Sequence, residues 1–206
     1  MKKFFIFVVL AIAASGVANA EGYNRVGLSY NNTSYRFSGY KGATDHNFSV
    51  NGFGIDYAHG FGLSRSLPMF IEVGGNVNFN FGNMFEDKNG SDYEIDRIQD
   101  INLQVPVNYV YRFDISDDFS IAPYAGVNFK LHLMTRTRYE EKYQGEKETE
   151  EWNSLYDKDF MGEDGTWNRF QMGWQIGVNF QYSAFSLGVQ YGTDFIPTFS
   201  YNEDGY

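Results

Sequence analysis

Thirteen residues from Ile101 to Phe113, INLQVPVNYVYRF, alternate in polarity almost without a break. Ile101, Leu103, Val105, Val107, Tyr109, Tyr111 and Phe113 share one face, and Asn102, Gln104, Asn108 and Arg112 share the other. A period of two belongs to an extended strand, because successive side chains there point to opposite faces. At about 3.3 Å per residue the run spans about 43 Å, long for a soluble strand but suited to one crossing a bilayer at a tilt of about 45°. Tyr109, Tyr111 and Phe113 gather at one end, where rings with a polar handle suit a membrane–water interface. Pro106 removes a ladder donor, so a local bulge or kink is expected there.

The same alternation recurs along the chain. Tyr23 to Phe37 sets Val26, Leu28 and Tyr30 against Gly27, Ser29 and Asn31. Phe48 to His59 sets Phe53, Ile55 and Tyr57 against Gly52, Gly54 and Asp56, and Met69 to Phe81 sets Ile71, Val73, Val77 and Phe79 against Glu72, Gly74, Asn76 and Asn78. Beyond Phe113, Phe119 to Arg136 opposes Ile121, Val127, Phe129 and Leu131 to Tyr124, Asn128, Lys130 and His132. Phe170 to Tyr182 is the cleanest case, and Ser183-Ala184 returns it as Phe185, Leu187, Val189 and Tyr191.

Seven strands are readable. The connections after the first, third and fifth are long, rising from about ten to about thirty residues, while those after the second, fourth and sixth are short. That asymmetry fits a transmembrane barrel with tight turns on one side and long loops on the other. The expected fold is therefore all-β, an antiparallel up-and-down transmembrane β-barrel of nominally eight strands. An even count avoids an open edge in hydrocarbon, so the last strand is expected to be missing from a chain that stops at SYNEDGY.

The chain begins MKKFFIFVVLAIAASGVANA, two lysines, an apolar block and the small-x-small run Ala18-Asn19-Ala20. This reads as a cleavable export signal over residues 1–20, followed by one barrel domain over 21–206. No cysteine is present, so neither a lipid-modified cysteine nor a disulfide contributes. Aromatic residues make up 19% of the sequence, yet its mean hydropathy is −0.42. Such a balance suits strands with an aromatic lipid face and a polar lumen face. A net charge of −10 argues against a nucleic-acid partner.

APYAGVNFKLHL (Ala122 to Leu133) and GWQIGVNFQYSAFSLGVQYGTDF (Gly173 to Phe195) resemble the late hairpins of the small outer-membrane β-barrel family, OmpX-like proteins sharing an outer membrane protein beta-barrel domain. The resemblance covers most of the mature chain and departs at the C-terminus, where such proteins end on a closing strand. It implies a cell-surface protein of a Gram-negative outer membrane, with a structural or surface-interaction role in membrane integrity, adhesion or defence. A porin-like narrow channel for small solutes or hydrophobic compounds is the alternative. A soluble periplasmic lipocalin-like ligand binder is a further one, because alternation alone does not say which face is inward.

Eight strands leave an interior just filled by side chains. Asp56, Glu72, Arg112 and Lys130 fall on the lumen face, and the charges there are expected to pair, with Asp56, Glu72 and Arg112 forming one polar cluster. No catalytic, cofactor or metal site is expected. Tyr139 to Trp167 is rich in carboxylates, which suit Ca²⁺ generally, but matches no EF-hand loop. It is instead the expected surface for an extracellular partner, alongside contacts to outer-membrane lipid and lipopolysaccharide. His46 beside Asp45 is the sole outer-rim candidate for hydrolytic chemistry, with His59 and His132 elsewhere, and no GxSxG, P-loop or zinc spacing accompanies them. The chain is expected to be a monomer and not an enzyme.

Overall fold

The computed structural model describes residues 22–37, 46–157 and 165–201. The export signal and the Asp45–His46 pairing lie outside the described residues, as do residues 158–164 of the longest loop. In chain order the strands are β1 (Tyr23–Phe37), β2 (His46–Gly62), β3 (Met69–Asn89), β4 (Asp92–Tyr111), β5 (Phe113–Asp114), β6 (Phe119–Tyr143), β7 (Glu146–Thr149), β8 (Asn153–Ser154), β9 (Gly165–Trp167), β10 (Phe170–Tyr182), β11 (Phe185–Asp194) and β12 (Phe199–Tyr201). β1, β2, β3, β4, β6, β10 and β11 form one antiparallel wall in sequence order. It curls far enough for Arg25 on β1 to reach Asn179 on β10 at 3.3 Å. Among the described residues β1 pairs only with β2, and β11 only with β10.

The pleat sorts the side chains into an apolar outside and a polar inside. Outward, the register stacks Val26, Tyr57 and Gly75 in one row, Leu28, Ile55, Val77 and Leu103 in another, and Tyr30, Phe53, Phe79 and Ile101 in a third. Beyond β4 the band continues through Phe129 and Met172, then Val127, Trp174 and Thr193. Leu28 is 86% exposed and Leu187 72%, whereas Glu72 and Asp100 are each 1% exposed. Such a surface is tolerable only against lipid, and it excludes the lipocalin arrangement, whose apolar face would line the cavity.

Pro106 causes no bulge in the β3–β4 register. The β3–β4 register runs unshifted from Val73↔Val107 to Asn76↔Gln104, which sets Gly74 opposite the proline and Gly75 opposite Val105. A β-carbon at Gly74 would sit 3.0 Å from Pro106 Cγ, so the missing side chain makes room for the ring. The register shifts lie higher, at Asn83/Phe85 between β3 and β4 and at Ile101/Asn102 between β4 and β6.

The wall is also taller than the alternation suggests. β3, β4 and β6 run eight, nine and seven residues past the ends expected for them, to Asn89, back to Asp92 and to Tyr143. β3 turns into β4 through a tight hairpin at Gly90 (φ 66°), and β6 turns into β7 through another at Gln144-Gly145 (φ 51° and 90°). Above the lipid, neither face of a strand needs to be apolar, so pairing persists after the alternation has stopped. The three short turns at the opposite end, Gly62 to Met69, Asp114 to Phe119 and Ser183-Ala184, carry no such extension of the wall, the layout expected of a periplasmic side.

Candidate functional site

The lumen is where chemistry-bearing side chains converge, and it is layered. At the periplasmic end Phe70, Val110, Ala122 and Tyr124 pack together with Tyr23 against them. All five take lumen parity on strands whose lumen face is otherwise polar, so they form an apolar floor. Gly177 lets Tyr124 lie across that floor, because a β-carbon there would collide with the phenol ring. The Tyr124 hydroxyl donates to Gln190 Oε1 at 3.0 Å.

Directly above sits Glu72. Its carboxylate accepts from Tyr23 Oη at 2.8 Å, Arg25 Nη2 at 3.0 Å and Asn108 Nδ2 at 3.2 Å. Gln175 donates in turn to Asn108 Oδ1 at 2.7 Å. The expected Asp56–Glu72–Arg112 cluster is thus not the one formed. Arg112 falls just past the end of β4, against the apolar floor rather than beside Glu72, where its guanidinium pairs with Asp114 at 3.0 Å and lies 5.4 Å from the Phe70 ring centre. Asp56 is half-buried beside Gly27 and does not join the Glu72 group. Lys130 is buried as expected, with its ammonium 2.8 Å from Asp194.

Higher still, Asp100 gathers four donors: Asn80 Nδ2 at 3.0 Å, Asn102 Nδ2 at 2.6 Å, Thr135 Oγ1 at 2.9 Å and His132 Nδ1 at 2.5 Å. His132 Nε2 meets Gln171 Oε1 at 3.0 Å, which engages both ring nitrogens, and Gln171 Nε2 donates in turn to Thr198 Oγ1. This network runs from Asn80 on β3 through β4 and β6 to Gln171 on β10. The sequence reading placed His132 inward but missed Asp100, whose even position on β4 was the available signal.

An apolar roof completes the stack. Tyr35, Phe48, Val50 and Ile98 face inward above Asp100, and Leu155 and Trp167 fold in from the long loop. Burial lifts the Tyr156 phenol to about 12, so at neutral pH it stays protonated beside Thr135 at 2.8 Å. The carboxylate-rich loop is therefore not wholly a solvated run: part of it is the lid of the barrel. Among the described residues no three His, Asp or Glu side chains gather as metal ligands.

An apolar exterior and a polar hydrogen-bonded interior are the physical signature of a barrel built for lipid. No curated protein matches the chain. Residues 4–156 match the family described as the outer membrane protein beta-barrel domain, and with the geometry in agreement the chain belongs to that family of outer-membrane β-barrels.

Proposed function

We propose that the protein is a non-conducting barrel of a Gram-negative outer membrane, exported through the Met1–Ala20 signal, whose role is structural or one of surface interaction. The observation that carries this reading is the filled lumen: a hydrogen-bonded polar middle held between an apolar floor at Phe70 and Val110 and an apolar roof at Phe48 and Ile98. Ions crossing such a stack would shed water against a floor and a roof of apolar side chains that offer nothing in its place. The reading is also non-enzymatic. His132 is buried with both nitrogens engaged, and His59 is held by Asn24 at 2.8 Å. What remains for function is the outer platform formed by the tall β3–β4–β6 wall and its loops, where adhesion or defence would be exercised. Planar-bilayer recording tests the proposal. Silent insertion is the expected result, and stable unitary steps would install the narrow-channel reading instead.

A further inference from the structure

Above the lipid band the wall keeps its pairing while its outward face changes chemistry. Phe81, the last aromatic of the band on β3, pairs with Gln99, and Gln99 with Arg136. The next outward row brings Asn83, Arg97 and Arg138 together, followed by Glu86, Ile95 and Glu140, then Lys88, Tyr93, Lys142 and Lys147. Alternation puts Glu94, Asp96, Glu141 and Glu148 on the opposite face. Among these register-paired residues the outward face holds six cations and only two carboxylates, in a chain whose net charge is −10.

The lower cations are fixed in place. Arg136 Nε and Nη2 both donate to Gln99 Oε1, at 3.1 and 2.8 Å. The guanidinium carbons of Arg136 and Arg138 each lie 4.7 Å from the Trp152 ring centre, so one indole is shared by two cations. Among the described residues Glu140 is the one carboxylate ion-paired with these arginines, with Arg97 at 3.0 Å and with Arg138, while Lys147 stands 4.0 Å away. One buried carboxylate cannot satisfy the donors of three guanidiniums, each of which carries five N–H groups. Two residues along a strand tilted about 45° rise about 5 Å, which sets Arg97 and Arg138 at headgroup height over the band.

We infer that Arg97, Arg136 and Arg138, with Trp152, form a binding strip for the phosphorylated headgroups of the outer-leaflet lipid. Planar guanidiniums match phosphate oxygens two at a time, and the strip is continuous with the lipid-facing surface below it, so the occupant reaches it without leaving the membrane. The inference rests on the proposed outward orientation of the tall wall.

The test uses the full chain folded in detergent micelles, with tryptophan fluorescence reporting binding. Micelles doped with bis-phosphorylated lipid A are compared with micelles doped with its dephosphorylated counterpart, and inorganic phosphate is added as a competitor. Binding about 10-fold tighter to the phosphorylated lipid is expected, weakening as salt is raised. The R97Q/R136Q/R138Q variant should lose that preference, while R65Q in a periplasmic turn should keep it. Should the triple variant fail to show heat-modifiable mobility, R136Q alone, which touches no carboxylate, replaces it. Equal binding of the two lipids, an unchanged triple variant, or full displacement by millimolar phosphate would each overturn the assignment. Bilayer recordings are indifferent to these outcomes, so this inference and the non-conducting reading fail separately.

Discussion

Replacing Glu72 probes the lumen most directly. In Glu72→Ala three donors lose one acceptor: Tyr23 Oη, Arg25 Nη2 and Asn108 Nδ2. Hydrogen bonds to a charged group contribute about 1.5–3 kcal/mol each, but the Arg25 side chain is 31% exposed, so water recovers part of its share. The loss should come to about 3–5 kcal/mol, the range for removing one partner of a buried ion pair. Glu72→Gln keeps the shape and two of the acceptor contacts, and should lose about 1–2 kcal/mol. Urea titration of the refolded protein in phospholipid vesicles, followed by Trp fluorescence, gives both numbers. A double-mutant cycle then asks which arginine Glu72 answers to. Arg25→Gln should couple to Glu72→Gln by about 1–2 kcal/mol, and Arg112→Gln by nothing measurable. Equal coupling to the two arginines, or a loss below about 1 kcal/mol in Glu72→Ala, would refute the derived geometry.

Three further outcomes are expected. Asp100→Ala leaves Asn80, Asn102, Thr135 and His132 without their shared acceptor and should destabilise by about 3–5 kcal/mol in the same titration, while His132→Gln should cost less because it keeps a donor. Gly177→Leu drives a side chain into the Tyr124 ring and should cost about 1–3 kcal/mol through overpacking, whereas Gly75→Ala, with open space around it, should be near neutral; thermal shift of the unboiled band in SDS separates them. Burial disfavours the Glu140 carboxylate, but hydrogen bonds from Arg97 and Arg138 outweigh it and hold the group below the ordinary glutamate range. Its stabilisation is then complete above the ordinary glutamate pKa and disappears as pH falls through the lowered folded value, so amide protection factors in β6 and β7, taken relative to the intrinsic rate at each pH, should drop there in the parent and not in Glu140→Gln.

How much of this was legible in the sequence depends on what the bilayer enforces. The outward rows of β2, β3, β6 and β10 were readable because hydrocarbon penalises any other residue at those positions. Phe170 to Tyr182 was bounded to the residue for that reason. The extensions of β3, β4 and β6 were not legible, since a strand standing in water on both faces carries no period to read. The Glu72–Arg25 pair was missed for a different reason: partners across a lumen are set by inter-strand register and by curl, and Arg112 looked equivalent until β4 was seen to end before it. One signal was present and unused. Tyr35, Phe48, Val50 and Ile98 at one end, and Tyr23, Phe70, Val110 and Tyr124 at the other, are large apolar residues on lumen parity. Apolar residues at the wrong parity, grouped by height, spell out the floor and the roof.

The floor and roof make the polar middle a chamber insulated from both aqueous phases along the barrel axis. Labile side-chain protons on Asn78, Asn102 and Gln175 are buried between the two lids, so their replacement by deuterium should quicken when either lid breathes. Their exchange therefore works as a clock for lid opening. Truncating Phe48 should quicken it from the outer side, and truncating Val110 from the periplasmic side, with the rest of the wall still in register. A barrel that never conducts would in this way still report how often, and at which end, it comes ajar.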